Sequence, residues 1–272
     1  MDGAQVWSLW QRVREQGPLV QCITNFVSMD IMANVLLAAG ASPAMAHALD
    51  EVEDFVKISS ALLINMGTLE APWIAAMKLA ARQAVALGKP WVLDPVGCGV
   101  TPYRTLQCLE LLRARPAAVR GNASEILALA GAAGSVKGVD STAASHEALG
   151  AAVAIARQHG CIVAVSGATD LVTDGRRVLG ACNGVPLLTQ ITAAGCSVTA
   201  LIAAFLAAAP EGRALEATAA ALAVFGLAGE VGLVNAPRPG PGSVRTGLLD
   251  ALHLLGEAEV VAGVRVEEQA AI

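Results

Sequence analysis

The residues Thr192-Ala193-Ala194-Gly195-Cys196-Ser197 concentrate more chemical potential than any other six in this chain. They follow an apolar run (Leu187, Leu188, Ile191) and open a helical pattern from Val198 to Ala209. Small side chains let the backbone turn tightly, so several N–H groups can converge at the start of a helix. The first N–H groups of a helix lack internal partners and its dipole favours negative charge, which makes such a turn an anion site. A thiol at a helix N-terminus is expected to have a lowered pKa. Cys196 is therefore a candidate base or anion-sensing group, and Gly195 a candidate catalytic backbone donor. A plain strand-to-helix turn with a buried cysteine accounts for the same residues equally well, since glycine-rich turns are common in α/β proteins.

Further polar and glycine signals recur at the ends of short apolar runs: Thr24-Asn25, Met66-Gly67-Thr68, Asp94-Pro95-Val96-Gly97, Arg120-Gly121-Asn122 and Ser166-Gly167. Asp94 closes the apolar run Trp91-Val92-Leu93 and could orient Mg²⁺ through water, because magnesium takes one or two carboxylates plus phosphates. A capping Asp in a loop is the plainer reading. Glu125 falls in the first turn of a helix, where an acid complements the dipole and can complete a capping box. Alongside Asp94, a shared metal site competes with that reading. Arg120 has the planar donor fork that suits phosphate, or it forms a surface ion pair. Ser166 could bind phosphate or ribose, or simply begin a turn.

Short apolar runs alternating with longer helical patterns must position these groups, and that alternation is the signature of βαβ units and a mainly parallel sheet. Strands are expected at Leu19–Thr24, Pro43–Ala46, Ala61–Met66, Trp91–Leu93, Ala118–Val119 and Cys161–Val165. Helices are expected at Ser28–Ala39, Val52–Ser60, about 71–87, Thr105–Arg113, Ser124–Ala130 and Thr142–His159. Thr173-Asp174-Gly175 sits between extended runs in Leu171–Leu179 and signals a hairpin. Three helical stretches follow, near Gly195–Ala209, Ala214–Leu233 and Gly242–Gly256. Ligands bind beyond the carboxyl ends of strands in an open parallel sheet, which is where the polar signals fall. No linker divides the chain, so residues 1–272 read as one domain, with a frayed tail from about Val264 to Ile272.

Composition narrows the function. Hydrophobic residues make up 55% of the 272 and aromatics only 3%, so the core is built from Ala, Val, Leu and Ile. The most apolar segments, around Val198–Ala209 and Ala217–Gly229, look too short to span a bilayer, which needs about 20 residues. Part of the apolar excess is expected to be buried between subunits. A net charge of −5 without a basic run argues against nucleic acid. Six scattered cysteines without CxxC spacing fit free thiols in a reducing cytoplasm. The acidic N-terminus shows no signal peptide. The four histidines form no triad and no G-x-S-x-G elbow is present. Neither a P-loop nor a dinucleotide fingerprint occurs.

Taken together, these residues resemble the hydroxyethylthiazole kinase family of the ribokinase-like superfamily. The likeness spans roughly residues 5–256. It is carried by Gln21-Cys22-Ile23-Thr24-Asn25, Asn65-Met66-Gly67-Thr68, Trp91 to Gly97, Arg120 to Glu125 and Thr192 to Cys196, with Phe225 to Glu230 and Gly240 to Ser243 in support. The resemblance implies a three-layer α/β/α sandwich with a mostly parallel central sheet. It implies ATP-dependent phosphorylation of the hydroxyl of 4-methyl-5-(2-hydroxyethyl)thiazole, a thiamine salvage step, with Mg²⁺ as cofactor. By the same likeness, Arg120, Ser166 and Asn122 match nucleotide-binding positions, and Asp94 and Glu125 the surroundings of Mg²⁺. Asn25, Met45, Gly67 and Ala193 match the thiazole side, and Gly195 and Cys196 the reacting centre. Trimers with active sites between subunits are implied as well.

The chain departs from the family pattern in two places. Ala193 stands where the turn usually has glycine, and an Ala forced to positive φ costs roughly 1 kcal/mol. Gln190 stands where many relatives have Lys. Rival readings are a dehydratase acting on hydrated nicotinamide nucleotides, which would prefer Asp at position 196, a non-catalytic binding protein, and a kinase of pyrimidine alcohols.

Overall fold

The structure is a computed structural model that describes residues 1–132 and 144–269. Helix α1 (Gly3–Gln16) begins at a capping box between Asp2 and Gln5 and stops at Gly17, which is left-handed at φ 53°. There follow β1 (Leu19–Ile23), α2 (Met29–Ala38), β2 (Ser42–Ala44), α3 (Val52–Ile58), β3 (Ala61–Asn65), α4 (Ala71–Ala86), β4 (Trp91–Asp94), α5 (Pro102–Arg113), β5 (Ala118–Asn122), α6 (Ala123–Ala132), α7 (Ala144–His159) and β6 (Ile162–Ser166). The hairpin β7 (Asp170–Thr173) and β8 (Val178–Ala181) leads through a 3-10 turn at Pro186–Gln190 to α8 (Ala194–Ala208) and α9 (Ala214–Val234). The chain closes with α10 (Pro241–Leu254), α11 (Glu257–Gly263) and β9 (Val266–Gln269).

The nine strands form one sheet in the order β2-β1-β3-β4-β5-β6-β7-β8-β9. Pairings from β2 through β6 are parallel, and those among β6, β7, β8 and β9 are antiparallel. Side chains alternate between the faces of each strand. Ala61, Leu63, Val92 and Ala118 therefore join one core, shared with α1, α2, α8, α9 and α10. Leu62, Ile64, Leu93 and Val119 join a second core, shared with α4, α5, α6 and α7. The result is the expected three-layer α/β/α sandwich.

Three expectations need correction. Residues 264–269 are not a frayed tail, because β9 pairs with β8 in register from Ala181↔Val266 to Val178↔Gln269; residues 270–272 lie outside the described set. Its polar composition hid it, since an edge strand needs backbone pairing rather than an apolar face. Helix α9 runs 21 residues and is long and apolar enough to cross a membrane by length and composition, although 78% of its apolar window is buried inside the protein. It is apolar all round because it is a core helix. Helices α1 and α11 were not foreseen. For α1 the signals were present in Asp2, Gln5 and Gly17. Thr142 and Ala143, expected to start α7, lie outside the described residues.

Candidate active site

The carboxyl ends of β1, β3, β4, β5 and β6 bring Asn25, Gly67, Asp94, Arg120, Asn122 and Ser166 to one edge of the sheet, beside the start of α8. The turn into α8 is strained. Ala193 occupies the N-cap position at φ 62°, ψ 13°, in the left-handed region. The Ala194 N–H is taken by Ile191 O and the Ser197 N–H by Ala193 O. Among the described residues, the N–H groups of Gly195 and Cys196 have no backbone acceptor, so these two amides are the free donors of the helix.

Arg120 lies directly over that point. A Cβ on Gly195 would stand 2.7 Å from Arg120 Nη1 and 3.2 Å from Nη2, so glycine is what admits the guanidinium. Arg120 Nε and Ser166 Oγ are both buried without a partner, in a fold where such groups are normally satisfied. Both line a cavity of about 540 Å³ that also includes Gly167, Gly184, Gly195 and Phe225. This volume suits a small-molecule site. Asp170, Asn183 and Thr189 are its other polar side chains, and the rest of its lining is mainly apolar or glycine.

On the opposite side of Gly195 a chain of amides and a carboxylate runs through the core. Asn25 Nδ2 donates to Asn65 Oδ1 at 2.7 Å, and Asn65 Nδ2 donates to Asp94 Oδ2 at 2.8 Å. Thr199 Oγ1 lies 2.9 Å from that same oxygen and 3.0 Å from Gly195 O. Asp94 is 1% exposed. Burial raises its pKa to about 6, against the pull of Arg120 and the hydrogen bonds from Thr199 and Asn65. Gly67 abuts Asn25 so closely that a Cβ there would lie 2.5 Å from the Asn25 side chain. Met45 follows β2 at the same edge, in a segment pinned by Gln21 Nε2, which donates to Ala46 O at 3.0 Å.

Cys196 departs from the expectation of an acidified thiol. Its Sγ lies 3.7 Å from Asn25 Nδ2, yet burial, followed by the Asp94 charge, pushes its pKa up to about 11. Desolvation of the thiolate outweighs the helix dipole here. At neutral pH the residue is a neutral thiol.

Glu125 does form the reciprocal cap. Its Oε2 accepts from Asn122 N at 2.9 Å, while Asn122 Oδ1 accepts from Glu125 N at 2.9 Å. Its other oxygen accepts from Gly97 N at 2.9 Å, tying the turn after β4 to the start of α6. Asn122 is thus the cap of α6. Among the described residues no group of three or more His, Cys, Asp or Glu could hold a metal ion.

Sequence reasoning gave no role to Asn65, Thr199, Asn183 or Glu230. Asn65 and Glu230 lie inside motifs already singled out. Thr199 could have been flagged as a lone hydroxyl in an apolar helix, but Asn183 offers no comparable signal.

A family model for the hydroxyethylthiazole kinase family matches residues 10–258. The chain belongs to that family. It is 54% identical over 268 residues to hydroxyethylthiazole kinase of Zea mays, covering 97% of this chain and 93% of that one. It is 51% identical over 262 residues to that of Arabidopsis thaliana, covering 96% and 94%. Among solved structures, the hydroxyethylthiazole kinase protein of Pyrococcus horikoshii is 42% identical with a TM-score of 0.90, covering 97% of this chain and 99% of that one. A Staphylococcus aureus pyridoxal kinase in complex with AMP-PCP and pyridoxal matches at 18% identity and TM-score 0.62, covering 92% and 97%. At that identity it supports the ribokinase-like fold alone.

Proposed function

We propose that this chain transfers the γ-phosphoryl group of ATP in line to the side-chain hydroxyl of 4-methyl-5-(2-hydroxyethyl)thiazole, in thiamine biosynthesis or salvage. Kinase activity on the thiazole alcohol, with ATP as co-substrate, follows from family membership. The observation that carries the local mechanism is the meeting of four donors: the free Gly195 and Cys196 amides, and the buried, unpartnered Arg120 Nε and Ser166 Oγ. Gly195, Arg120 and Ser166 line the cavity of about 540 Å³, a volume that suits a nucleotide.

Phosphoryl transfer has a loose transition state, so positioning and charge neutralisation supply most of the catalysis. The amides of Gly195 and Cys196 face the migrating phosphoryl group, Arg120 and Ser166 hold the phosphates, and Asn122 borders the same end. Asn25, Met45, Gly67 and Ala193 line the thiazole side. Cys196, as a neutral thiol fixed by Asn25, shapes the space around the hydroxyl; a loose transition state needs little base help. Mg²⁺ fits the donor set. Asp94 is a buried hard-oxygen donor, and Glu125 stands near enough to raise the Asp94 pKa. With so few ligands from the protein, the ion would rely on phosphates and waters. When bound, it neutralises phosphate charge.

A homotrimer with sites between subunits is supported by large apolar side chains left exposed on the loops that flank the site, including Phe26 at 60% and Val100 at 77%. The free cysteines, several of them buried, suit a cytoplasmic setting. ADP release from Mg-ATP across a panel of thiazole and pyrimidine alcohols tests the reading. The thiazole alcohol is expected to be the preferred acceptor, and preference for a pyrimidine alcohol overturns it.

A further inference from the structure

Behind the cavity, on the side away from Gly195, Asn183 and Gly184 form a wall in the segment after β8. Neither residue holds itself in place. The Gly184 N–H donates to Glu230 Oε1 at 2.8 Å, and Asn183 Nδ2 donates to Glu230 Oε2 at 3.2 Å. Asn183 is 7% exposed, and both ends of its amide are used up by the C-terminal segment. Its Nδ2 donates to Gly263 O at 2.9 Å, and its Oδ1 accepts from Arg265 N at 2.7 Å. Arg265 returns to the same wall, where Nη2 donates to Cys182 O at 2.9 Å and Nη1 to Glu230 Oε2 at 3.3 Å. On α9, one turn before Glu230, Gly226 lets the wall pack closely; a Cβ there would lie 2.4 Å from Asn183 O. Gly184 itself sits at φ 135°, a backbone state that other residues rarely adopt.

We propose that Glu230 is a positioning residue for the nucleotide, and that β9 with the residues leading into it forms the fixed back of the nucleotide site. This rests on the reading that the 540 Å³ cavity takes ATP. The carboxylate touches no substrate. It fixes the Asn183–Gly184 turn from behind, and the Arg265 guanidinium holds the carboxylate, so the far wall of the cavity stays open to a flat base. None of this network reaches Asn25, Met45 or Gly67. Its loss should therefore be felt by one substrate and not the other.

The test compares wild type, Glu230→Gln, Glu230→Ala and Arg265→Ala by steady-state kinetics in both substrates. Affinity for a non-hydrolysable ATP analogue is measured by calorimetry. Glu230→Ala is expected to raise KM for ATP, and Kd for the analogue, about tenfold, with KM for the thiazole alcohol within twofold of wild type. Glu230→Gln keeps one carbonyl acceptor for Gly184 and should recover most of the loss. Arg265→Ala leaves Glu230 in place and should raise the ATP KM two- to threefold, which keeps the proposal testable if Glu230→Ala does not fold. Unchanged analogue affinity in the variants, or equal shifts in both KM values with a lowered Tm, overturns it. Wild type that binds the analogue but phosphorylates no thiazole alcohol would instead defeat the functional reading and leave this one standing.

Discussion

Gly195→Ala separates stability from catalysis, because helix propensity and the Arg120 contact pull in opposite directions. Gly195 lies within α8 and does not have positive φ. Adding a methyl group there should favour the helix by up to about 1 kcal/mol. The new Cβ would meet Arg120 Nη1 at 2.7 Å, whereas ordinary contact begins at 3.4 Å, so the guanidinium must withdraw by about 0.7 Å. A misplacement approaching 1 Å in a phosphate-positioning group costs on the order of 100-fold. We expect kcat/KM for ATP to fall about 10- to 100-fold, or about 1.4–2.7 kcal/mol of transition-state stabilisation. The Tm should stay level or rise slightly. A double-mutant cycle with Arg120→Ala sharpens the test, since residues in contact are expected to couple. If the methyl group acts by displacing Arg120, Gly195→Ala should cost little once Arg120 is gone. Wild-type kcat/KM in the single mutant, or fully additive losses in the double, would refute the reasoning.

Four further outcomes are expected. Cys196→Ala should slow turnover several-fold without abolishing it, because a loose transition state needs little base help; loss of all activity contradicts this. Because the folded-state pKa of Cys196 is raised to about 11, its thiol stays protonated through neutrality, so iodoacetamide labelling at this position should keep accelerating with pH to about 11, and a plateau near pH 8 would sink the assignment. Ala193→Gly relieves a left-handed alanine worth about 1–2 kcal/mol but adds about 0.4–1 kcal/mol of unfolded-chain entropy; calorimetry should find Tm up by a few degrees and kcat within threefold, whereas a fall in Tm would count against strain at φ 62°. Thr199→Val removes a hydroxyl partner from the buried Asp94 and should cost about 1–3 kcal/mol in urea unfolding, with no change if that bond carries no stability.

Much of the architecture could be read from the chain because period and punctuation agreed. Leu62 and Ile64 alternate with Ala61 and Leu63, and the parallel strands came out within a residue or two, except β5, which runs three residues past the expected Val119. Strand β9 was illegible because Val266-Glu267-Glu268-Gln269 lacks a β-like composition and is ordered by pairing with β8. At the site, Arg120, Gly195 and Asp94 were legible as chemistry-bearing types at strand or helix ends. Their partners were not: the Asn25–Asn65–Asp94–Thr199 chain joins four elements far apart in sequence. The thiol is not acidified as its place in the turn led one to expect, for a reason no local motif carries. Its pKa is set by how deeply α8 is buried, and helix position alone mispredicts the sign.

Helix α8 begins at the Gly195 turn, and small residues recur where it meets α9. Ala200, Ala203 and Ala204 are all fully buried, as are Ala219, Ala220 and Ala221 on α9. Alanine has no rotamer to exchange, so where one of these alanines meets another, an added carbon cannot be absorbed by swinging either side chain aside. An intruding methyl group must displace a whole rod instead, and a rod that slides takes its tip with it. Lesions buried four turns from any substrate would then surface as slow phosphoryl transfer, with nothing visibly altered among the groups that touch the nucleotide.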